Sequence, residues 1–363
     1  VLREDAAMDF RIAVLAGDGI GAEVMAPTLA LLRAVCGRVG VALALEEHPA
    51  GAACYRATGT ALPAATMAAC RAADAILLGA MGDPAVRYPD GTEIAPQLDL
   101  RTELGLYAGL RPARAIPGVP IPLADPRAAA LDLVLLREST EGLFAERKLG
   151  RVENDARAID RLVITRATSE RLFEAAFRIA ETRRARGLPG RVSCVDKANV
   201  LTSMAFFRRI FLEVAARFPA IEAECVYVDA AALDLVRRPW RFDVMVTENM
   251  FGDILSDLAA GLIGGMGFAP SADIGDAHAV FQPCHGSAPD IAGQGLANPT
   301  ATILSAAMML EWLAERHAAP RCAEAAGLLR AAVDRAFAAG LRTPDAGGAA
   351  GTRAVAEAVL AAL

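Results

Sequence analysis

The chain has 363 residues, 54% of them hydrophobic and 22% charged, so it can bury a large core, is not composed like a disordered protein, and exceeds a usual single core, which favours two domains or one large α/β unit with a subsidiary lobe. A formal charge of -6 leaves no general basic footprint and argues against nucleic acid as a partner. Seven cysteines without a C-x-x-C pair argue against a disulfide framework or a thiolate zinc site and fit a reducing compartment.

No uninterrupted apolar run reaches the ~18 residues of a membrane span, and the start lacks a signal-peptide pattern, so a soluble cytoplasmic protein without a membrane partner is expected. The residues before Met8 read as a tag remnant or an extended start. Residues 11–16 form an apolar strand that runs into G-D-G-I-G at 17–21 and then a helical pattern to about Gly37. Glycines at such a turn allow close backbone approach to a ligand. The spacing is not G-x-G-x-x-G, however, and no acid ends a second strand at the expected distance, so the Rossmann fingerprint is not met and the segment alone is a tight turn. Pro27, inside the helical pattern, predicts a kink. Strand, helix and strand patterns follow over 41–46, 63–73 and 75–79; that alternation predicts an α/β fold with substantial parallel pairing. A short helix opens at 98–101 toward Tyr107, bracketed by Arg101 and Arg111, and Arg137 follows a strand over 131–136. Arginine forks suit bidentate carboxylate binding, and three of them near an acidic metal site suit a substrate with more than one carboxylate. Any single Arg in a chain this rich in Arg is more often a surface residue.

Residues 146–160 are polar and irregular and read as a loop or an arm, followed by a strand over 162–165 and an amphipathic helix over 169–186 that Gly187 and Pro189 close. Of 37 basic residues only Lys148 and Lys197 are lysines. Lys148 lies in a polar stretch and reads as a surface residue, whereas Lys197, in V-D-K-A-N at 195–199, stands at a strand end. A lysine near other cations can lower its pKa toward neutrality and act as a base, which arginine cannot. The helix over 202–217 packs Phe206, Ile210 and Val214 as core. The strand-like run 225–228 ends in Asp229, and the run 242–246 leads into T-E-N-M-F-G-D-I-L-S-D-L at 247–258, which opens an amphipathic helix near Phe251. Asp253 and Asp257, four apart, point from one helix face. Two carboxylates a turn apart suit Mg2+ or Mn2+. An isolated pair of this kind is more often a solvated face, but Asp229 is a third acid at a strand end, where ligands collect in parallel sheets. A Gly-rich, hinge-like stretch over 261–270 precedes F-Q-P-C-H-G-S-A-P-D at 281–290, helices over 299–315 and 323–339, and a last helix ending at Leu363.

Together these segments resemble the β-decarboxylating dehydrogenase family, which contains isopropylmalate, isocitrate, homoisocitrate, tartrate and D-malate dehydrogenases, and the resemblance covers nearly the whole chain. N-M-F-G-D-I-L-S-D at 249–257 is similar to the family's metal segment, and Asp229 to its third metal aspartate, which comes from the other subunit of a homodimer. The segment around Lys197 resembles the catalytic lysine segment, so Lys197 and Asp229 are the implied catalytic pair. Arg101, Arg111 in L-R-P and Arg137 in R-E resemble the arginines that bind the substrate's carboxylates. His285, Gly286, Ser287, Ala288, Pro289 and Asp290, with Asn298, resemble the cofactor loop, and the turn at 17–21 its first turn. The resemblance implies a three-layer α/β/α, non-Rossmann fold of two domains. Residues 1–106 and 264–363 would form the cofactor domain, and 107–263 the substrate, metal and dimerisation domain.

The implied activity is oxidative decarboxylation of a malate-type, dicarboxylic 2-hydroxy acid with NAD as hydride acceptor and Mg2+ or Mn2+ as the metal. Lys197 would take the hydroxyl proton as hydride passes to the nicotinamide, and the enolate left by loss of CO2 would then be protonated on carbon. Asp290 favours NAD, since it would accept from the adenosine ribose hydroxyls and repel a 2'-phosphate. Three positions depart from the family. Phe144 stands where the family has the Tyr of the final protonation, and Gln282 stands where a Glu near the nicotinamide is usual. Gln97, in I-A-P-Q-L at 94–98, matches neither the apolar pair of isopropylmalate enzymes nor the serine pattern of isocitrate enzymes. 3-Isopropylmalate is the first expected substrate, with tartrate, D-malate or homoisocitrate close behind. Oxidation that stops before decarboxylation, prompted by Phe144, is a further reading. A catalytically silent cofactor-binding or scaffold protein is the alternative of another class.

Overall fold

A computed structural model describes residues 9–363, so the reading of the residues before Met8 lies outside the described residues. In chain order the strands are β1 (Asp9–Gly17), β2 (Ala42–Glu47), β3 (Ala75–Ala80), β4 (Ala108–Arg114), β5 (Asp132–Glu138), β6 (Arg151–Glu153), β7 (Arg157–Ile159), β8 (Arg191–Asp196), β9 (Glu222–Tyr227), β10 (Val244–Thr247), β11 (Pro270–Ile274) and β12 (Ala279–Pro283). The helices are α1 (Gly21–Val39), α2 (Ala52–Thr58), α3 (Ala64–Ala72), α4 (Pro96–Glu103), α5 (Arg166–Ala185), α6 (Thr202–Ala215), α7 (Val228–Arg237), α8 (Asn249–Leu262), α9 (Thr300–Arg316), α10 (Pro320–Ala338) and α11 (Thr352–Ala362). No described helix is long and apolar enough to cross a membrane.

Ten strands form one sheet in the order β2-β1-β3-β12-β11-β4-β5-β10-β8-β9. Pairing is parallel toward both edges, and antiparallel across β12, β11, β4 and β5 in the middle. Both faces are covered, which is why the inner strands read as continuous apolar runs. On β10 and β5, Val244, Val246, Val134 and Leu136 pack toward Phe173, Phe177, Phe207 and Phe211 of α5 and α6, while Met245 and Leu135 pack in the cluster that holds Leu235 of α7 and Leu255 of α8. That two-residue alternation between packed faces makes the chain a three-layer α/β/α molecule.

The structure departs from the sequence reading in several elements. Residues 162–165 are not a strand; Val163 makes a single bridge to Gly142. The stretch read as irregular carries the antiparallel hairpin β6–β7. Strands β4, β11 and β12 and helix α2 were not anticipated, because their sequences are short or interrupted by Gly, Pro and polar residues. Within α6, Phe207 and Phe211 enter the core beside Ile210 and Val214, whereas Phe206 is half-buried. Helix α1 continues through Pro27.

Candidate active site

The strand ends and α8 place the acids and arginines. Glu248 caps α8 by accepting from the backbone N–H of Phe251 at 2.6 Å and of Met250 at 3.1 Å, so the helix starts where β10 ends and projects Asp253 and Asp257 one turn apart. Arg137, at the end of β5, lies against this helix. Its Nε and Nη2 donate to Asn249 Oδ1 at 2.9 and 2.7 Å, and its Nη1 to Asp253. The approach needs Gly252, where a Cβ would stand 2.6 Å from Arg137 Cγ. Burial first, and then the nearby Arg101, push the Arg137 guanidinium down to about 10, which leaves it charged at neutral pH.

A cavity of about 160 Å³ is lined by Gln97, Arg101, Arg111, Arg137, Asp253, Asp257, Gln282, His285 and Gly286, together with Ser256, Ser271, Cys284 and residues 78–81 and 283. Nine of the residues singled out from the sequence therefore meet at one place. Lys197 and Asp229 do not line it. They pair with each other, Lys197 Nζ donating to Asp229 Oδ1 at 2.5 Å, and Asp229 is exposed at the start of α7. Asp196 positions the lysine segment from below, since its carboxylate takes Arg208 Nε and Nη2, each at 2.7 Å, and the Ala198 N–H at 2.8 Å. Phe144 lies beside the site, its ring centroid 5.5 Å from the Arg137 guanidinium carbon.

Of the residues expected to hold the cofactor, Gln282, His285 and Gly286 line the cavity, whereas residues 287–290 and Asn298 do not. Ser287 is buried, and its carbonyl accepts the Ile20 N–H at 2.8 Å, which clamps the loop onto the first glycine turn. A Cβ on Gly19, whose φ is +54°, would sit 2.0 Å from that carbonyl, so glycine is required for close approach there. Ala288 has φ 36°, Pro289 and Asp290 are exposed, and the Asp290 carbonyl accepts from Gln294 Nε2 at 2.8 Å. Asn298 is buried, accepting from the Thr300 N–H at 3.0 Å and donating to Asp345 Oδ2 at 3.1 Å. Burial lowers the His285 imidazole below its ordinary value, and its buried Nε2 has no partner. Gln97 Oε1 is likewise buried and unpartnered. Both side chains line the cavity with polar capacity that a bound molecule would use.

Of the three acids singled out for a metal, Asp253 and Asp257 line the cavity and Asp229 does not. Among the described residues no three His, Cys, Asp or Glu side chains converge on a cation site within the chain. Asp253 and Asp257 lie one turn apart, and desolvation and then the Asp253 charge raise the Asp257 carboxyl. A divalent cation would relieve that repulsion, and hard carboxylate oxygens with open positions fit Mg2+ or Mn2+. The sequence reading missed one residue outright. Asp273, on β11, is buried between Arg101 and Arg111 at 2.9 and 3.1 Å. The signal that could have found it is an acid inside an otherwise apolar S-A-D-I-G segment.

A family model described as isocitrate/isopropylmalate dehydrogenase matches residues 11–359. The chain is 46% identical over 342 residues to a 3-isopropylmalate dehydrogenase of Moorella thermoacetica, covering 93% of each chain. It is 44% identical over 357 residues to an isocitrate/homoisocitrate dehydrogenase of Thermus thermophilus, covering 98% of this chain and 99% of that one. The crystal structure of an isocitrate dehydrogenase from Methylococcus capsulatus is similar with a TM-score of 0.85 at 38% identity, covering 97% of this chain and 99% of that one.

Proposed function

The chain belongs to the isocitrate/isopropylmalate dehydrogenase family, decarboxylating dehydrogenases that act on a CH–OH group, and from that premise we propose that it oxidises and decarboxylates a malate-type dicarboxylic 2-hydroxy acid with NAD. 3-Isopropylmalate is the first candidate, followed by tartrate, D-malate and homoisocitrate. The observation that carries the reading is that Arg101, Arg111, Arg137, Asp253 and Asp257 line one cavity. Guanidinium forks there match carboxylates, and the paired aspartates match a divalent cation on which a hydroxyl and its neighbouring carboxylate can rest.

In this reading Asp253 and Asp257 hold Mg2+ or Mn2+, which when bound lowers the pKa of the substrate hydroxyl. Lys197 takes the hydroxyl proton, and the loop from His285 to Asp290 with Gln282 and Asn298 binds the dinucleotide. Lys197 and Asp229 lie outside the chain's own cavity lining, so they act on the cavity of a second copy in a homodimer, with Asp229 completing the metal site. Leu233 and Val236 on α7 and Ile254 on α8, exposed by 55%, 48% and 62%, support an apolar surface on these helices suited to such pairing. The division into 1–106 with 264–363 and 107–263 is supported by the sheet. Strands β2, β1, β3, β12 and β11 of the first unit are contiguous, and β4, β5, β10, β8 and β9 of the second follow them.

The test is a panel of malate-type acids with Mn2+, followed by absorbance of the reduced nicotinamide. Turnover of at least one acid, with NAD far more effective than NADP, is expected. Failure on every acid would instead favour a silent cofactor-binding or scaffold protein. Comparable efficiency with NADP would remove Asp290 as the discriminator.

A further inference from the structure

Asp273 is deep in the protein, and a lone carboxylate there is costly unless it is paired and hydrogen-bonded. It has four donors. Oδ2 accepts from Arg101 Nε at 2.9 Å and Gln282 Nε2 at 2.7 Å, and Oδ1 from Arg111 Nη2 at 3.1 Å and Ser139 Oγ at 3.3 Å. Across the ladder it faces Gly109, where a Cβ would already stand 3.1 Å from Asp273 Oδ1. Burial alone pushes this carboxyl up, but Arg101 and Arg111 outweigh it and bring it to about 2. The carboxylate is therefore an anion at neutral pH.

Its effect differs among the arginines. Arg111 is held through its Nη atoms, with Nη1 on the Leu110 and Ala272 carbonyls and Nη2 on Asp273. Arg137 is engaged by Asn249 and Asp253. Arg101 is held through Nε alone, and among the described residues its Nη1 and Nη2 have no protein partner. That edge of a guanidinium is the one a carboxylate can grip with two parallel bonds.

We propose that Asp273 is a positioning residue for substrate binding: it locks Arg101 by its Nε so that the Nη1 and Nη2 edge meets a carboxylate of the hydroxy acid, and Gln282 is the neutral donor this acid requires. The inference rests on the hydroxy-acid reading above. It also accounts for Gln282, since a glutamate there would set a second anion against Asp273 Oδ2, where the amide nitrogen now stands at 2.7 Å.

The experiment compares wild type, Asp273→Asn and the double variant Asp273→Asn with Gln282→Glu, which returns the carboxylate from the neighbouring strand. Kinetics use the best acid of the panel with NAD and Mn2+, and thermal melts check folding. Asp273→Asn should raise KM about 10–100-fold with kcat within about threefold, the range of a lost charge-assisted hydrogen bond. The double variant should recover KM to within about threefold of wild type. Wild-type KM in Asp273→Asn, or a folded double variant whose KM stays raised about tenfold or more, overturns the proposal. If the single variant does not fold, the double variant decides alone by the same criterion. If wild type oxidises no acid of the panel, the hydroxy-acid reading fails separately, and calorimetric binding of malate with Mn2+ decides this one. Tighter binding by wild type than by a folded variant lacking the buried carboxylate supports it; no binding to wild type, or equal binding to both, overturns it.

Discussion

Lys197 sits on Asp229 at 2.5 Å, and the carboxylate keeps the ammonium oriented. Replacing it by arginine preserves charge but removes the amine that serves as base in the proposed reaction. Lys197→Arg should reduce kcat about 100 to 10,000-fold with an unchanged melting temperature; turnover near wild type would move the base elsewhere. Phe144 cannot donate a proton, and its ring rests near Arg137 at 5.5 Å. Following reduced nicotinamide and CO2 separately in one turnover should show the steps after hydride transfer lagging, with Phe144→Tyr speeding CO2 release more than hydride transfer. Equal rates unaffected by the substitution would make Phe144 a packing choice. Asp273 makes stability depend on acid. Its folded carboxyl lies at about 2, below the ~3.9 of an unfolded aspartate, so its contribution is present above the unfolded value and lost as pH falls through the folded one. Melts of wild type and Asp273→Asn should converge between about pH 5 and 2; a gap that stays constant over that interval contradicts the assignment. Lys197, Asp253 and Asp257 stood out in the sequence because a rare lysine and a four-residue spacing are local signals, and the structure brings the two aspartates, but not the lysine, to the cavity. Asp273 did not stand out, because its meaning depends on Arg101, which is 172 positions away along the chain.

Helix α8 presents Asp253 and Asp257 from a start that is tied down twice: Glu248 caps it, and Asn249 Nδ2 donates to the Glu141 carbonyl at 3.0 Å. Gly252 sets up a contest inside it. Alanine would favour the helix by about 1 kcal/mol, but its Cβ would meet Arg137 Cγ at 2.6 Å and Cβ at 2.7 Å. The arginine is buried and pinned by Asn249, so overlap wins. Gly252→Ala should displace Arg137 and raise KM for the acid about tenfold or more while thermal stability falls. A variant that is more stable and binds the acid as wild type does would show that the arginine gives way freely. The apolar run before it and its own amphipathic pattern made this helix readable within two residues of its start. The register that brings β11 and β4 together was not, since strands of this length carry little pattern of their own.

At the scale of the molecule, one chain holds the arginines and two aspartates in its cavity and presents Lys197 and Asp229 apart from it. If two copies complete each site, charges on the exposed apolar face of α7 should abolish activity by separating them. Leu233→Asp with Val236→Asp should sediment as a monomer, keep its fold by circular dichroism and lose turnover. An active monomer would contradict the shared site. The continuous sheet would let the two proposed units form one cavity. Strands β11 and β4 pair across the proposed division, and Asp273 and Arg111 stand on either side of it.

The sequence alone determined an α/β chain with substantial parallel pairing, the family resemblance that implied three layers, and nine of the residues that line the cavity, because these follow from apolar periodicity, strand-to-helix turns and short motifs carried within a few dozen residues. Only the tertiary structure decided which of those residues share a cavity, which arginine keeps an open edge, and which acid holds it. Those outcomes depend on register between strands remote in the chain and on burial, which turns an ordinary aspartate into a fixed counter-charge. Local sequence encodes neither quantity by itself.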